Sequence, residues 1–298
     1  MDLIEKKCLF CENENCSVEI FPANFTNKDL TPEVFSARRI TEHFHYKIYK
    51  CKNTGLIYSK EILPEEQLKY LYKESKVTFN KYATLIAEDY WKPLSKQITN
   101  LKKESKILEI GCSNGFFLQK LFDLGYKNVY GCEPSTEAIE LASDNIKKNI
   151  YCGFFNEETY PNNTFDLICI FQTLDHLENP IKMMEICHQK LKKNGLLYII
   201  VHNTNALQYK LFKDKSPIID IEHIYLFNKL NISKAIEKSG FTTKDIFNIK
   251  NTYPLEYLIS HSPIPLKNIA LKIINGLGIS DLKISMNLGN MGIIGIKK

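Results

Sequence analysis

The stretch Ile107-Leu-Glu-Ile-Gly-Cys-Ser-Asn-Gly-Phe-Phe-Leu118 constrains this chain more than any other. An apolar strand enters a turn holding Gly111 and Gly115. A helical pattern follows at once, with Phe117, Leu118, Leu121 and Leu124 apolar at helical spacing. Gly111 permits a backbone conformation that a side chain forbids. Gly115 lets a ligand approach the helix start, where free N–H groups gather. Glu133, at the end of Lys127-Asn-Val-Tyr-Gly-Cys132, stands where nucleotide-binding α/β folds keep a carboxylate for ribose hydroxyls. Together these residues read as a nucleoside site.

From residue 105 the alternation is regular. The helix ending at Gly125 leads to the strand ending in Glu133, and Ser135 is placed to cap a helix running to Lys147-Lys148. Next come the short strand Ile150-Tyr-Cys-Gly-Phe154, a turn at Pro161-Asn-Asn163 and the continuous apolar strand Phe165-Asp-Leu-Ile-Cys-Ile-Phe171. A helix from Pro180 is expected to stop at Asn194-Gly195 and lead into Leu196-Leu-Tyr-Ile-Ile-Val201. Continuous apolar strands between helices imply a parallel sheet covered on both faces, with ligands at the carboxyl ends of its strands.

The middle glycine of a three-glycine fingerprint is replaced by Ser113 and the third is missing, so a pyrophosphate cradle is poorly matched. This disfavours a nicotinamide dehydrogenase. The stretch resembles the first motif of class I S-adenosylmethionine-dependent methyltransferases, in which an acidic residue, here Glu109, precedes the glycines. Asn114 and Gly115 fit that pattern and Ser113 departs mildly. Phe154-Phe155-Asn156 occupies the place where the family binds adenine through a backbone amide and a nearby polar side chain. Gln172-Thr-Leu-Asp-His176 resembles the family's loop in which a histidine precedes "Leu-x-x-Pro", here Leu177-Glu-Asn-Pro180. The resemblance covers residues 105–201 without a gap. It implies a Rossmann-like seven-stranded sheet with helices on both faces and S-adenosyl-L-methionine as cofactor. The cofactor would lie against Glu109, Gly111, Cys112, Ser113, Asn114, Gly115, Glu133, Pro134, Phe154, Phe155, Asn156, Phe171, Gln172, Thr173 and His176.

Residues 1–62 form a separate N-terminal segment. Cys8-Leu-Phe-Cys11 is a knuckle with two-residue spacing, and Cys51-Lys-Asn-Thr-Gly55 follows it with Thr54 where a fourth cysteine would stand. The segment is similar to the zinc-ribbon-like start of methyltransferases from sugar and secondary-metabolite pathways. Under that resemblance Cys8, Cys11 and Cys51 are zinc ligands, with Cys16, His43 or His45 completing the set. The alternative is a metal-free remnant held by Phe10, Phe21 and Tyr49. Residues 63–104 read as helices, broken near Pro93, with Leu68, Leu71 and Tyr72 and then Tyr82, Leu85, Ile86 and Tyr90 at helical spacing. In the family this stretch is a lid, which would bring Phe79 and Tyr82 to the cofactor; the alternative is plain aromatic packing on the main domain.

The remainder, 105–298, reads as the methyltransferase domain. A helix from Asn228 to Gly240, a strand from Phe241 to Phe247 and a last antiparallel strand Met291-Gly-Ile-Ile-Gly-Ile296 complete the sheet. An insert at about 251–285 carries an amphipathic stretch, Leu266 to Leu277, that is suited to capping the substrate, meeting a second subunit in a homodimer or resting on a membrane surface.

Methyl transfer from a sulfonium needs alignment and, for a hydroxyl, ammonium or acidic carbon nucleophile, removal of a proton. A base near working pH favours histidine. His223, His176 and His202 fall at the right end of the sheet and are ranked in that order, each against the plainer reading of a histidine bonded to nearby backbone.

The 298 residues carry a net charge of +5 with lysines scattered at helix ends, which disfavours nucleic acid as a partner. The Asp/Asn-Pro-Pro-Tyr/Phe motif of enzymes that methylate exocyclic base amines is missing. No aliphatic run is long enough to span a membrane, and nine cysteines, an odd number, suit a reducing cytoplasm. The expected acceptor is a small molecule: a sugar, nucleotide-sugar or glycan-related oxygen or carbon. The alternatives are an RNA-directed methyltransferase binding through the cysteine segment and a noncatalytic interaction protein of the same fold.

Overall fold

The computed structural model describes residues 3–11, 14–35, 44–75, 81–261 and 266–298; Phe79 and His43 fall outside them. The N-terminal part holds five short strands, β1 (Ile4–Glu5), β2 (Ser17–Phe21), β3 (Ile48–Cys51), β4 (Ile57–Ser59) and β5 (Glu61–Ile62). Two helices follow, α1 (Glu65–Lys73) and α2 (Ala83–Ser95). In α1 the first turn holds Glu65 and Glu66 and the last holds Lys73, which complements the helix dipole, while Leu68 and Leu71 are buried. Pro93 lies inside α2 instead of ending it, because in the last turn its missing N–H costs a single hydrogen bond.

The main sheet is built from β6 (Ile107–Ile110), α3 (Phe116–Asp123), β7 (Val129–Glu133), α4 (Thr136–Glu140), α5 (Asp144–Lys147), β8 (Ile150–Cys152), β9 (Phe165–Phe171), α6 (Pro180–Lys190) and β10 (Leu191–His202). Then come α7 (Leu207–Phe212), β11 (Tyr225–Leu226), α8 (Lys229–Lys238), β12 (Thr242–Pro254), α9 (Leu255–Ser260), α10 (Lys267–Gly276) and β13 (Lys283–Ile296). The seven-stranded order is β12-β13-β10-β9-β6-β7-β8. The five strands from β10 to β8 are parallel, and β13 runs antiparallel to both β10 and β12. This is the sheet expected from the alternation, with its antiparallel closing strand.

Side chains of successive strand residues fall on opposite faces, and each face has its own core. Leu108, Ile168, Leu197 and Ile199 join a cluster with Tyr46, Leu56, Tyr58, Met184 and Ile232, so the N-terminal strands, α6 and α8 cover one face. Ile107, Leu167, Cys169 and Ile200 join Ile86, Tyr90, Phe117 and Leu121, so α2 and α3 cover the other. The N-terminal strands are also joined to the main chain of the sheet domain. β11 pairs antiparallel with β4, Tyr225 opposite Tyr58, which makes a four-stranded sheet β11-β4-β3-β2.

Three boundaries differ from expectation. The helix after Ser135, whose hydroxyl accepts from Ala138 N as a cap should, is split into α4 and α5. α6 stops at Lys190 because Leu191 is already paired with Phe165, and Asn194, at φ +64°, donates its N–H to Lys297 O. β12 and β13 are longer than expected and continue as a ribbon, Asn251–Pro254 against 283–286, that carries α9 and α10. Among the described residues no helix is long and apolar enough to cross a membrane.

Candidate functional site

The carboxyl ends of β6, β7 and β9 meet at the glycine turn. Gly111 has φ +71° and Gly115 φ +68°, values that favour glycine. A Cβ on Gly111 would overlap the Thr173 side chain, and one on Gly115 would stand 2.7 Å from Ile146 Cγ2. Glu133 ends β7, and its carboxylate accepts from Ser113 N at 2.8 Å and Ser135 N at 2.9 Å, which ties the turn to the following helix. Burial pushes its carboxyl up, opposed by those two N–H donors. Glu109 is 2% exposed, and burial reinforced by the charge of Glu133 raises its carboxyl well above the ordinary range. Its Oε2 is buried with no hydrogen-bond partner among the described residues. An orphaned acceptor and a turn closed to any side chain are features that a bound adenosyl amino acid, with its ammonium and hydroxyl donors, would satisfy.

Not every residue expected at the cofactor turns its side chain there. Cys112 is fully buried, close behind Gly131. Phe171 packs within 4.8–5.1 Å ring separation of Phe117, Tyr90 and Tyr198 in the core. Phe155 is buried near Tyr160. Asn156 spends its side-chain oxygen on Glu158 N and Thr159 Oγ1. Phe154 lies under Lys69 Nζ, Pro134 separates Glu133 from Ser135, and Asn114 sits in the turn itself. Gln172, at φ +47°, gives its N–H to Ile200 O, and Thr173 Oγ1 donates to Phe171 O. Tyr82 packs edge-on against Tyr257 at 5.0 Å and Tyr253 at 6.0 Å, on the C-terminal insert.

The three candidate histidines converge. The His223 ring lies 4.9 Å from that of His176 and 4.8 Å from that of His202, each edge-on. Asp175, fully buried, sits between two of them, with His176 Nε2 at 4.0 Å and His223 Nε2 at 3.9 Å. Burial raises the Asp175 carboxyl to about 7, with backbone N–H groups of Asp175 and His202 pulling the other way. Burial, aided by the neighbouring imidazoles, lowers His176 to about 3 and His223 well below the ordinary range, so both rings are neutral. Tyr72 Oη reaches His176 Nδ1 at 3.4 Å. The neutral rings carry nitrogen lone pairs, but burial lowers both well below the working-pH value at which a base is most effective.

The N-terminal strands hold His223 from behind. Ser59 Oγ donates to His223 O at 3.1 Å, Ser59 N donates to Ile224 O, and Ile224 N donates to Asp175 O. Asp175, Tyr72 and Ser59 were not among the candidates named above. Asp175 had a visible signal, an acid next to His176 in an apolar loop; Tyr72 and Ser59 had none.

The sulfurs of Cys8, Cys11, Cys16 and Cys51 lie within 4.8 Å of one another. Cys11 Sγ is 3.5 Å from Cys51 Sγ, and Thr54 Oγ1 reaches Cys8 Sγ at 3.6 Å. Burial pushes the Cys51 thiol up, but hydrogen bonds from Thr54, backbone N–H groups and Cys11 outweigh it and bring it down to about 6. His45, an alternative fourth ligand, is instead bonded through Nδ1 to Tyr46 O. Four sulfurs at this spacing are a donor set for tetrahedral zinc.

A family profile described as a methyltransferase domain matches residues 80–245, more than half of the chain. The chain is similar to a tRNA U34 carboxymethyltransferase of Campylobacter fetus subsp. fetus, 27% identical over 184 residues, which cover 58% of this chain and 65% of that protein. It is similar to a tRNA U34 carboxymethyltransferase of Helicobacter pylori at 27% over 173 residues, 55% of this chain and 66% of that one. The chain thus spans just under two thirds of the length of these relatives. Among solved structures it resembles a chain from the complex of the Haloferax volcanii Trm112 methyltransferase activator with its methyltransferase. That match has a TM-score of 0.51 and 14% identity, covering 72% of this chain and 89% of that one. This last likeness speaks to the fold alone.

Proposed function

This chain belongs to the methyltransferase-domain family, and from that premise we propose that it is an S-adenosylmethionine-dependent methyltransferase whose acceptor gives up a proton to the histidine cluster and is an RNA nucleoside. One observation carries the first half: neutral, buried His223 stands with Asp175 and His176 at the carboxyl end of the sheet that bears the glycine turn. The names of the tRNA-modifying relatives support the second half, and they outweigh the scattered lysines that speak against nucleic acid.

The bound cofactor supplies an activated methyl group and a good leaving group. The chain's own residues do the rest. Gly111 and Gly115 leave room for the donor, and Glu133 offers lone pairs to ribose hydroxyls while it holds the turn. Glu109 offers Oε2 to an ammonium donor. His223 takes the proton of the acceptor, and His176 and His202 are its reserves in that order. Asp175 stabilises the imidazolium that forms. The four cysteines would hold zinc.

A second reading keeps a small hydroxylated acceptor such as a sugar. Its support is the burial of the base: His223 is 8% and Asp175 0% exposed, so only a slender group reaches them, a sugar hydroxyl or a nucleoside turned out of its strand. Incubation with methyl-tritiated S-adenosylmethionine and either unmodified tRNA transcripts or a low-molecular-weight cell fraction tests both. Acid-insoluble, nuclease-sensitive label supports the RNA acceptor. Label confined to the small-molecule fraction overturns it in favour of the second reading.

A further inference from the structure

The loop after β9 and the segment before β11 bring together buried ligand atoms whose hydrogen bonding is sparse: Asp175 faces backbone N–H groups of Asp175 and His202, and His223 faces the Ile218 backbone. Both oxygens of Asp175, Nε2 of His176 and Nδ1 of His223 are buried without a hydrogen-bond partner among the described residues. The Asp175 oxygens stand 4.0 Å from His176 Nε2 and 3.9 Å from His223 Nε2, too far for an imidazole N–H to reach a carboxylate. Such gaps suit two ligands on either side of an ion that takes each at roughly 2.0–2.2 Å. One ligand atom from each of the three residues lies within 4.8 Å of the other two. Polar atoms left unsatisfied in a dry interior are costly; one cation between the Asp175 carboxylate and the Nε2 atoms of both histidines meets the Asp175 and His176 atoms, while His223 Nδ1, on the other edge of its ring, stays outside the ion's reach.

We propose that Asp175, His176 and His223 form a metal site distinct from the four sulfurs, a two-histidine, one-carboxylate set for a divalent first-row transition-metal ion. Imidazole in the set favours zinc, iron, manganese or cobalt over calcium. Three protein ligands leave positions open, and an acceptor oxygen is the natural occupant. The proposal rests on the reading that this cluster meets the acceptor, and it changes one role. With His223 held as a ligand, it no longer takes the proton, which leaves to solvent as the acceptor O–H bond breaks, the oxygen bonds the methyl carbon, and the carbon–sulfur bond breaks to leave S-adenosylhomocysteine.

Cobalt(II) titration of the full chain separates the two sites, because thiolate-bound cobalt absorbs strongly in the near ultraviolet and nitrogen- and oxygen-bound cobalt shows only weak visible bands. The expected result is cobalt with weak visible bands, lost in Asp175→Asn and in His223→Gln and retained in Cys11→Ser. Binding of S-adenosylhomocysteine by each variant certifies that it is folded. Saturation of the wild-type chain by thiolate-bound cobalt alone, or weak bands that persist in both site variants, overturns the site. The titration needs no acceptor. Absent cobalt with methyl transfer intact removes the ion and leaves His223 as base; bound cobalt with no transfer to any acceptor fails the functional reading and leaves the site standing.

Discussion

Gly111 and Thr173 stand so close that nothing larger than hydrogen fits between the glycine turn and the loop after β9. A Cβ on Gly111 would lie 2.9 Å from Thr173 Cγ2 and closer still to its hydroxyl, and the backbone there is at φ +71°. Gly111→Ala therefore meets a steric and a conformational penalty, together on the order of 1–3 kcal/mol. A companion Thr173→Ala change should recover only the steric part, which thermal melts of the single and double variants would read as coupling. A single variant that melts like wild type would refute the crowding.

Glu133 acts through its charge and Ser113 through its backbone. Glu133→Gln should weaken S-adenosylhomocysteine binding about 10- to 100-fold, since a hydrogen bond to a charged group contributes about 1.5–3 kcal/mol. Ser113→Ala should change it little, because the donor at 2.8 Å is the Ser113 N–H. Calorimetric titration distinguishes the two; equal losses would mean that the Ser113 hydroxyl touches the ligand.

Glu109 sets a pH dependence. Its folded carboxyl is raised well above the ordinary 4.5, so the folded chain holds more protons than the unfolded one in the window above that value. The associated stability is present below the window and lost as pH rises through it. Glu109→Gln lacks that loss, so its melting temperature should rise relative to wild type as pH climbs above about 4.5. Parallel melting curves across that range would show that Glu109 does not titrate as described.

Zinc and turnover should be linked through β4. Cys51 begins the turn whose far side is β4, and β4 carries both the pairing to β11 and the Ser59 bond to His223 O. Cys51→Ser should lose chelatable zinc and also lower turnover, with cofactor affinity nearly intact. Metal content and methyl transfer measured on one preparation check this. Zinc lost with turnover unchanged would show that the strands stand without the metal.

His223→Gln should cut turnover by about 10²–10⁴ while cofactor affinity changes little. The effect belongs in kcat, since the ring acts on the acceptor and not on the adenosyl group. A variant with wild-type turnover would pass the role to His176 or His202.

What could be read along the chain was what local chemistry compels. Two glycines flanking Cys112-Ser113-Asn114 require a turn with positive φ, the apolar runs of β9 and β10 require burial on both faces, and Ser135 and Pro180 mark helix starts. Helix ends were less legible. Asn194-Gly195 reads as a C-cap, yet strand pairing at Leu191 ends the helix four residues earlier, because a long-range ladder outcompetes a local stop.

The sequence by itself determined a parallel sheet, its closing antiparallel strand and the end of the sheet that carries the glycine turn, since each depends on residues within one turn or one strand of each other. Tertiary structure alone decided that Cys16 joins the other three sulfurs and that β11 pairs with β4. It also decided that Tyr72, Asp175, His176, His202 and His223 meet in one buried cluster. Residues so far apart in sequence are brought together by sheet register and by which face each side chain takes. A shift of one residue in a strand would reverse every such direction, and no local pattern records it.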